Sequence, residues 1–238
     1  LDLKQKRLHI STLRLAAPSF TQFEYARLKP RAYRRPPENS ADTAAYQWNE
    51  DGWRISAGLI QLLDGQLRID KETEHLPYTD RFDGQHLNFS RLTGNLKDVR
   101  FEGDTLSVKM DLSGLEKSGL QIKKLMADLH FDPTIMEFRD LDIQTNNSRL
   151  RNYYAMRYRD FVEDMNDFVD SVELEGRFTE SEISSEDLAL FDPYLKSWNR
   201  NFRFSGQAVG TIESLRAKNM IVESGGSRQI GRAHVLNS

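Results

Sequence analysis

Apolar residues fall two apart along almost the whole chain, and that regularity limits what it can fold into. Leu1-x-Leu3, Leu8-x-Ile10, Leu13-x-Leu15, Leu67-x-Ile69 and Leu87-x-Phe89 lead to Leu106-x-Val108-x-Met110-x-Leu112, Leu120-x-Ile122 and Leu125-x-Ala127-x-Leu129-x-Phe131. Leu141-x-Ile143, Phe202-x-Phe204 and Ala208 to Ile212 continue the pattern. A period of two lines one face of a pleated strand. Lys109, Asp111, Asp128, His130 and Asp142 take the alternate positions, so the strands read as half-buried and antiparallel, greasy on one side and wet on the other. The phase slips at Lys123-Lys124 and at Arg139-Asp140, where a bulge or strand break restores the apolar face.

Short turn formers punctuate these strands: Asp64-Gly65, Asp83-Gly84, Gly94, Gly103-Asp104, Ser118-Gly119, Asp132-Pro133 and Asn146-Asn147. From about 85 to 158 their spacing predicts a meander of neighbouring strands. Two segments break the period. Phe161, Val162, Met165, Phe168 and Val169 form the stripe of an amphipathic helix over 160–170, and Ser184 to Phe191 reads as a short capped helix ending before Asp192-Pro193. Residues 30–39, "PRAYRRPPEN", read as an exposed loop.

Composition removes several function classes. Thirty-three basic against thirty-six acidic residues give a net charge of -3, which offers no overall attraction to nucleic acid. No cysteine is present, so disulfides, thiolate metal sites and thiol catalysis are absent. No run of 18 apolar residues occurs. The first methionine is Met110, inside a patterned region, so the natural polypeptide is expected to begin upstream. Residues 229–238, "QIGRAHVLNS", resemble the translation of a sequencing-library adapter; the expected division is 1–222 as one repeating segment, 223–228 as a junction and 229–238 as a non-native tail.

Candidate chemical sites each have a plainer reading. Gly206-x-x-x-Gly210 lacks the Gly-Lys-Ser/Thr of a phosphate loop and sits inside strand alternation, so its glycines serve a bend or a close approach. Asp164, Asn166 and Glu175 match three positions of a calcium loop, but Phe168 and Val169 stand where a ligand and a glycine are needed. Arg149, Arg151, Tyr153, Tyr154, Arg157, Tyr158 and Arg159 look like a basic-aromatic nucleic-acid patch. Alternation instead gives a strand with one solvated face, whose arginines the acids of 160–170 (Asp160, Glu163, Asp164, Asp167, Asp170) can neutralise. His9, His75, His86, His130 and His234 show no ligand spacing, and Asp140 and Asp142 have no catalytic partner nearby in sequence. No enzyme, cofactor or metal is expected.

Three stretches resemble the AsmA-like/TamB-type envelope proteins of Gram-negative bacteria. They are "LMADLHFDPTIMEFRDLDIQTNNSRL" (125–150), with Leu141, Ile143, Thr145, Ser148 and Leu150 in the family's strand pattern; "ISSEDLALFDPYLKSW" (183–198), similar to its short helix; and "FSGQAVGTIESLRAKNMIV" (204–222), similar to its Gly-x-x-x-Gly-Thr rung. The opening residues 1–20 fit more loosely. The resemblance implies a mainly β fold: an elongated, open antiparallel sheet or groove, β-taco-like, with one or two short amphipathic helices. It also implies a periplasmic location, an inner-membrane anchor outside this segment, phospholipid acyl chains as cargo and an outer-membrane barrel as a partner. Acyl chains are then expected against Leu106, Val108, Met110, Leu112, Leu125, Leu129 and Phe131. A second reading is a compact β-sandwich or adhesin-like module binding protein or glycan through Tyr33, Trp48 and Trp53.

Overall fold

The computed structural model describes residues 2–25, 48–73 and 78–225, together with the backbone of 227–234. Its strands are β1 (Arg7–Ala16), β2 (Ser19–Glu24), β3 (Arg54–Lys71), β4 (His86–Glu102), β5 (Thr105–Glu116), β6 (Gln121–Asp132), β7 (Ile135–Gln144), β8 (Arg149–Arg157), β9 (Glu173–Ser184), β10 (Asn201–Gly210), β11 (Arg216–Ser224) and β12 (Ser227–His234). All twelve belong to one open sheet, and from β3 onward each pairs antiparallel with the next in sequence. The predicted meander over 85–158 is β4 to β8. The closed sandwich does not form, because no second sheet exists among the described residues.

The edge before β3 is built differently. β1 and β2 run end to end, both parallel to β3, and the break between them is Ala17-Pro18, where Ala17 has φ +47°. Proline has no N–H to give, so it suits an edge. Leu3, expected in a strand, lies in a turn and is 68% exposed. At the other edge, Ser227–His234, which includes most of the adapter-like stretch, pairs antiparallel with β11.

Regular strands already give a sheet an even twist, and here almost every ladder also carries a register shift. At six of these shifts a polar residue takes positive φ: Asp64 in β3, Arg91 and Asp98 in β4, Asp140 in β7, Glu180 in β9 and Asn219 in β11. Each bulge bends its strand and increases local twist, so the series curves the sheet. The slip at Arg139-Asp140 is such a bulge, and the extra residue opposite Leu112–Gly114 falls at Lys123-Lys124, as the alternation requires. Asp64-Gly65 and Gly94, read as turns, instead lie inside the long strands β3 and β4. Gly94 has φ +147°, and a Cβ there would run into the Asp111 carbonyl across the ladder.

The helices are minor. The 160–170 stripe is helical but splits at Asp167 into α1 (Phe161–Asn166) and α2 (Phe168–Ser171). α3 (Ser185–Leu188) is capped by Ser184, whose hydroxyl accepts the Glu186 N–H, and a 3-10 turn follows at Pro193–Trp198. None is long and apolar enough to cross a membrane. The loop expected at 30–39 lies outside the described residues.

Gly206 and Gly210 are bend positions, with φ +143° and +135°. A Cβ on Gly206 would sit 2.7 Å from Met220 Cα and 2.8 Å from Asn219 O. Replacing Gly206→Ala is therefore expected to lower the unfolding free energy by about 2–4 kcal/mol. Chemical denaturation followed by circular dichroism measures this; an unchanged midpoint would remove the bulge at Gly206 as a structural requirement.

Candidate functional site

Because directly opposite residues share a face, the register can be read as rows running across the strands. One row is Leu8, Ile55, Phe101, Leu106, Phe131, Met136, Met156, Leu174 and Gly210. A second is Leu15, Leu62, Gly94, Leu112, Leu125, Ile143 and Leu150. Between them Val108, Leu129, Phe138, Tyr154, Gly176 and Ala208 form a third. The expected contact residues therefore share one apolar face: Leu106 stands opposite Phe131, Val108 opposite Leu129, Met110 opposite Ala127, and Leu112 opposite Leu125.

That face has little above it. Among the described residues the buried hydrophobic ones are Ala57, Val108, Ala127, Leu141, Tyr153, Ala155, Tyr158 and Val172. Leu141 is the one leucine among them, and there is no isoleucine or phenylalanine. A packed domain core is made of such side chains, so these rows are layered on one side only. Of the expected contact residues only Val108 is buried, while Leu106, Met110, Leu112, Leu125, Leu129 and Phe131 are half-exposed. Burial still makes parts of the face dry, and it pushes the Tyr154 hydroxyl up to about 12.

Protein does cover one end. Trp48 packs on Phe131 with ring centroids 4.5 Å apart, and Phe161 of α1 meets Phe131 at 5.2 Å and Tyr158 at 5.3 Å. Phe131, expected to face cargo, is therefore roofed by Trp48 and α1. Trp48 and Trp53, assigned to a binding loop in the sandwich reading, serve this end instead. Asn49, next to Trp48, holds the Trp53 backbone by donating to the Trp53 and Gly103 carbonyls and accepting the Trp53 N–H. Tyr33 lies outside the described residues. At the opposite end the connection from β3 to β4 reaches the segment after α3: the Phe82 N–H donates to the Leu190 carbonyl at 2.8 Å, and the Phe82 and Phe191 rings lie 4.9 Å apart.

Buried polar groups tie the turns at that end. His86 is 1% exposed; its Nδ1 is 3.1 Å from Asp70 Oδ1 and its Nε2 3.1 Å from Thr73 Oγ1. Burial alone would raise the Asp70 carboxyl, but hydrogen bonds to His86 and Arg68 outweigh it and hold the group below its usual range. Glu116, fully buried, accepts the Asn88 and Ser118 N–H groups. Asp187 accepts the Thr145 hydroxyl and the Asn147 N–H. The pairs Asp70–His86, Asn88–Glu116 and Thr145–Asp187 join residues 16, 28 and 42 apart, so sequence spacing does not display them.

The opposite face is a ladder of ion pairs. Arg149 binds Asp142 through two nitrogens at 2.7 and 2.8 Å, Lys124 binds the same carboxylate at 3.0 Å, Arg151 pairs with Glu180 and Arg157 with Glu175. The arginines of β8 are thus neutralised mainly by acids of β7 and β9. The helical acids expected to do this contribute Asp164, 3.9 Å from Arg159. Cross-strand partners lie about 5 Å away, closer than a helix beyond the strand end. Tyr153, placed on the solvated face, is buried there: Arg177 stacks over its ring at 3.8 Å and its hydroxyl donates to Glu137. Asp164 accepts the Arg159 N–H at 2.7 Å, which employs the residue singled out for a calcium loop, and no metal-ligand cluster occurs among the described residues.

The Arg149 hydrogen bonds, opposed by burial and aided by Lys124, hold Asp142 down at about 2, below its ordinary 3.8. A depressed carboxylate stabilises the fold fully above its ordinary value and loses that contribution as pH falls through the folded value. Arg149 is 39% exposed, so screening limits the effect to about 1 kcal/mol. Asp142→Asn is expected to lower stability at neutral pH by about that amount, and the gap from the parent should close between about pH 4 and about pH 2. Denaturant midpoints measured across that range decide it; a gap independent of pH contradicts the assignment. Comparison of the chain with protein-family models, with curated proteins and with solved structures finds no match.

Proposed function

We propose that this chain is a non-enzymatic segment of an AsmA-like/TamB-type envelope protein, and that its apolar face carries phospholipid acyl chains. The observation that carries this reading is the set of apolar rows with no second layer among the described residues. The longest spans β1 and β3 to β10, roughly 38 Å at about 4.8 Å per strand. A phospholipid tail spans about 15 Å, half of a bilayer's hydrocarbon core, so a tail fits lengthwise with room to move.

Transfer follows from repetition. Each buried CH2 contributes about 0.8 kcal/mol, so one deep pocket would hold a whole chain too tightly to release it. Rows of similar half-exposed side chains such as Leu106, Met110, Leu112, Leu125 and Leu129 offer a series of shallow wells instead. The ion-paired face stays in water. In this reading the segment works in the periplasm, joined to the inner membrane by residues outside it, and a barrel in the outer membrane is its candidate partner. The resemblance at 125–150, 183–198 and 204–222 supports that placement.

Purified chain should carry co-purifying phospholipid detectable by mass spectrometry and should take up a fluorescent phospholipid from vesicles. Leu112→Gln and Leu129→Gln together should reduce uptake several-fold, while Lys109→Gln on the other face should not. Folded protein with neither bound lipid nor uptake would sink the proposal.

A further inference from the structure

Where β8 leads into α1 and β10 turns into β11, a cavity of about 580 Å3 lies between the two connections. Arg157, Arg159, Arg216 and Lys218 bring positive charge to it. Register explains the convergence: Arg157 stands opposite Glu173, Arg216 opposite Val209 and Lys218 opposite Gln207, all near the same end of the sheet. Arg157 shares Glu175 with Arg177, and Arg159 lies 3.9 Å from Asp164. Arg216 and Lys218 are exposed and have no ion-pair partner among the described residues.

Neutral donors complete the lining. The Thr211 and Ser214 hydroxyls, 3.2 Å apart, line it, and Ser171, whose hydroxyl donates to Asp167, borders it from the other connection. Asp170 and Glu173 also border the space. The neighbouring Asp170 carboxyl lifts that of Glu213 above the usual range. The cations of the lining still outnumber its acids. Arg157, Arg216 and Lys218 stand on the ion-paired side of their strands, but Gly210, the last residue of the first apolar row, and Tyr158, which also packs on Phe161 of the aromatic cluster, line the cavity too, so it reaches the end of the apolar face.

We propose that this cavity binds a phosphate group, that of a phospholipid whose acyl chains lie on the apolar face. The lipid half of the assignment rests on the function proposed above; the phosphate half does not. Guanidinium forks and hydroxyls make charge-assisted hydrogen bonds to several oxygens of one phosphate at once. The volume exceeds that of a bare phosphate and lies within the range of small-ligand sites, leaving room for a headgroup.

Three probes separate the possibilities: short-chain phosphatidic acid, diacylglycerol with the same chains, and inorganic phosphate. Each is titrated against the 238-residue chain and against an Arg216→Gln, Lys218→Gln double variant with a matched circular dichroism spectrum. Phosphatidic acid should bind the parent about tenfold more tightly than diacylglycerol, an advantage that falls with added salt. The double variant should lose that advantage and keep its affinity for diacylglycerol. Equal binding of the two lipids by the parent overturns the headgroup site and leaves the apolar-face reading intact. Inorganic phosphate bound by the parent and lost in the variant, without uptake of either lipid, supports the anion site and overturns its lipid assignment. No binding of any probe overturns both.

Discussion

A β-sheet has two faces, and the physics of this chain turns on how little it supplies to cover one of them. Backbone pairing from β1 to β12 satisfies the peptide groups and fixes the register. The register in turn gathers the apolar side chains into rows on one side. Covering those rows would take a second sheet or long amphipathic helices. Among the described residues there are only α1, α2, α3 and a single 3-10 turn, each of six residues or fewer. They close the ends and leave the middle half-exposed.

Curvature makes that arrangement tolerable in water. The bulges at Asp64, Asp98, Asp140, Glu180 and Asn219 put an extra residue on one strand without moving the apolar side chains off their face. Asp and Asn accept the left-handed conformation more readily than most residues, which is why the bends are written largely in those types. On the other face, Asp142 between Lys124 and Arg149, and Glu175 between Arg157 and Arg177, keep neighbouring strands in step. One side supports the register with ion pairs; the other holds the surface that the register assembles.

Much of the fold was legible from alternation alone, because a period of two has few other meanings. The strands β5, β6 and β8, and the slips at Lys123-Lys124 and Arg139-Asp140, stand in the sequence as they stand in the sheet. β9 was not legible: Gly176 interrupts its alternation, leaving room for the Phe178 ring, and the bulge at Glu180 shifts the phase before Ile183. Asp64-Gly65 and Gly94 have turn chemistry but lie in strands, since a bulge and a turn ask the same of the backbone. The shared face of Leu106, Val108, Met110, Leu112, Leu125, Leu129 and Phe131 follows from their spacing. The roof that Trp48 places over Phe131 does not, because it joins residues more than eighty positions apart.

The central claim concerns water at the middle of the apolar face, and the absence of native cysteine permits a direct test. Single substitutions Met110→Cys, Leu112→Cys and Leu129→Cys would be compared in their rate of reaction with a water-soluble maleimide. Ala155→Cys, at a position with no exposure, and Lys109→Cys, on the ion-paired face, bracket the range. The account predicts that the apolar-face thiols react at rates near that of position 109 in lipid-free protein and become protected when phospholipid is added. Rates as slow as that of position 155, with or without lipid, would show the face sealed by protein and contradict the account.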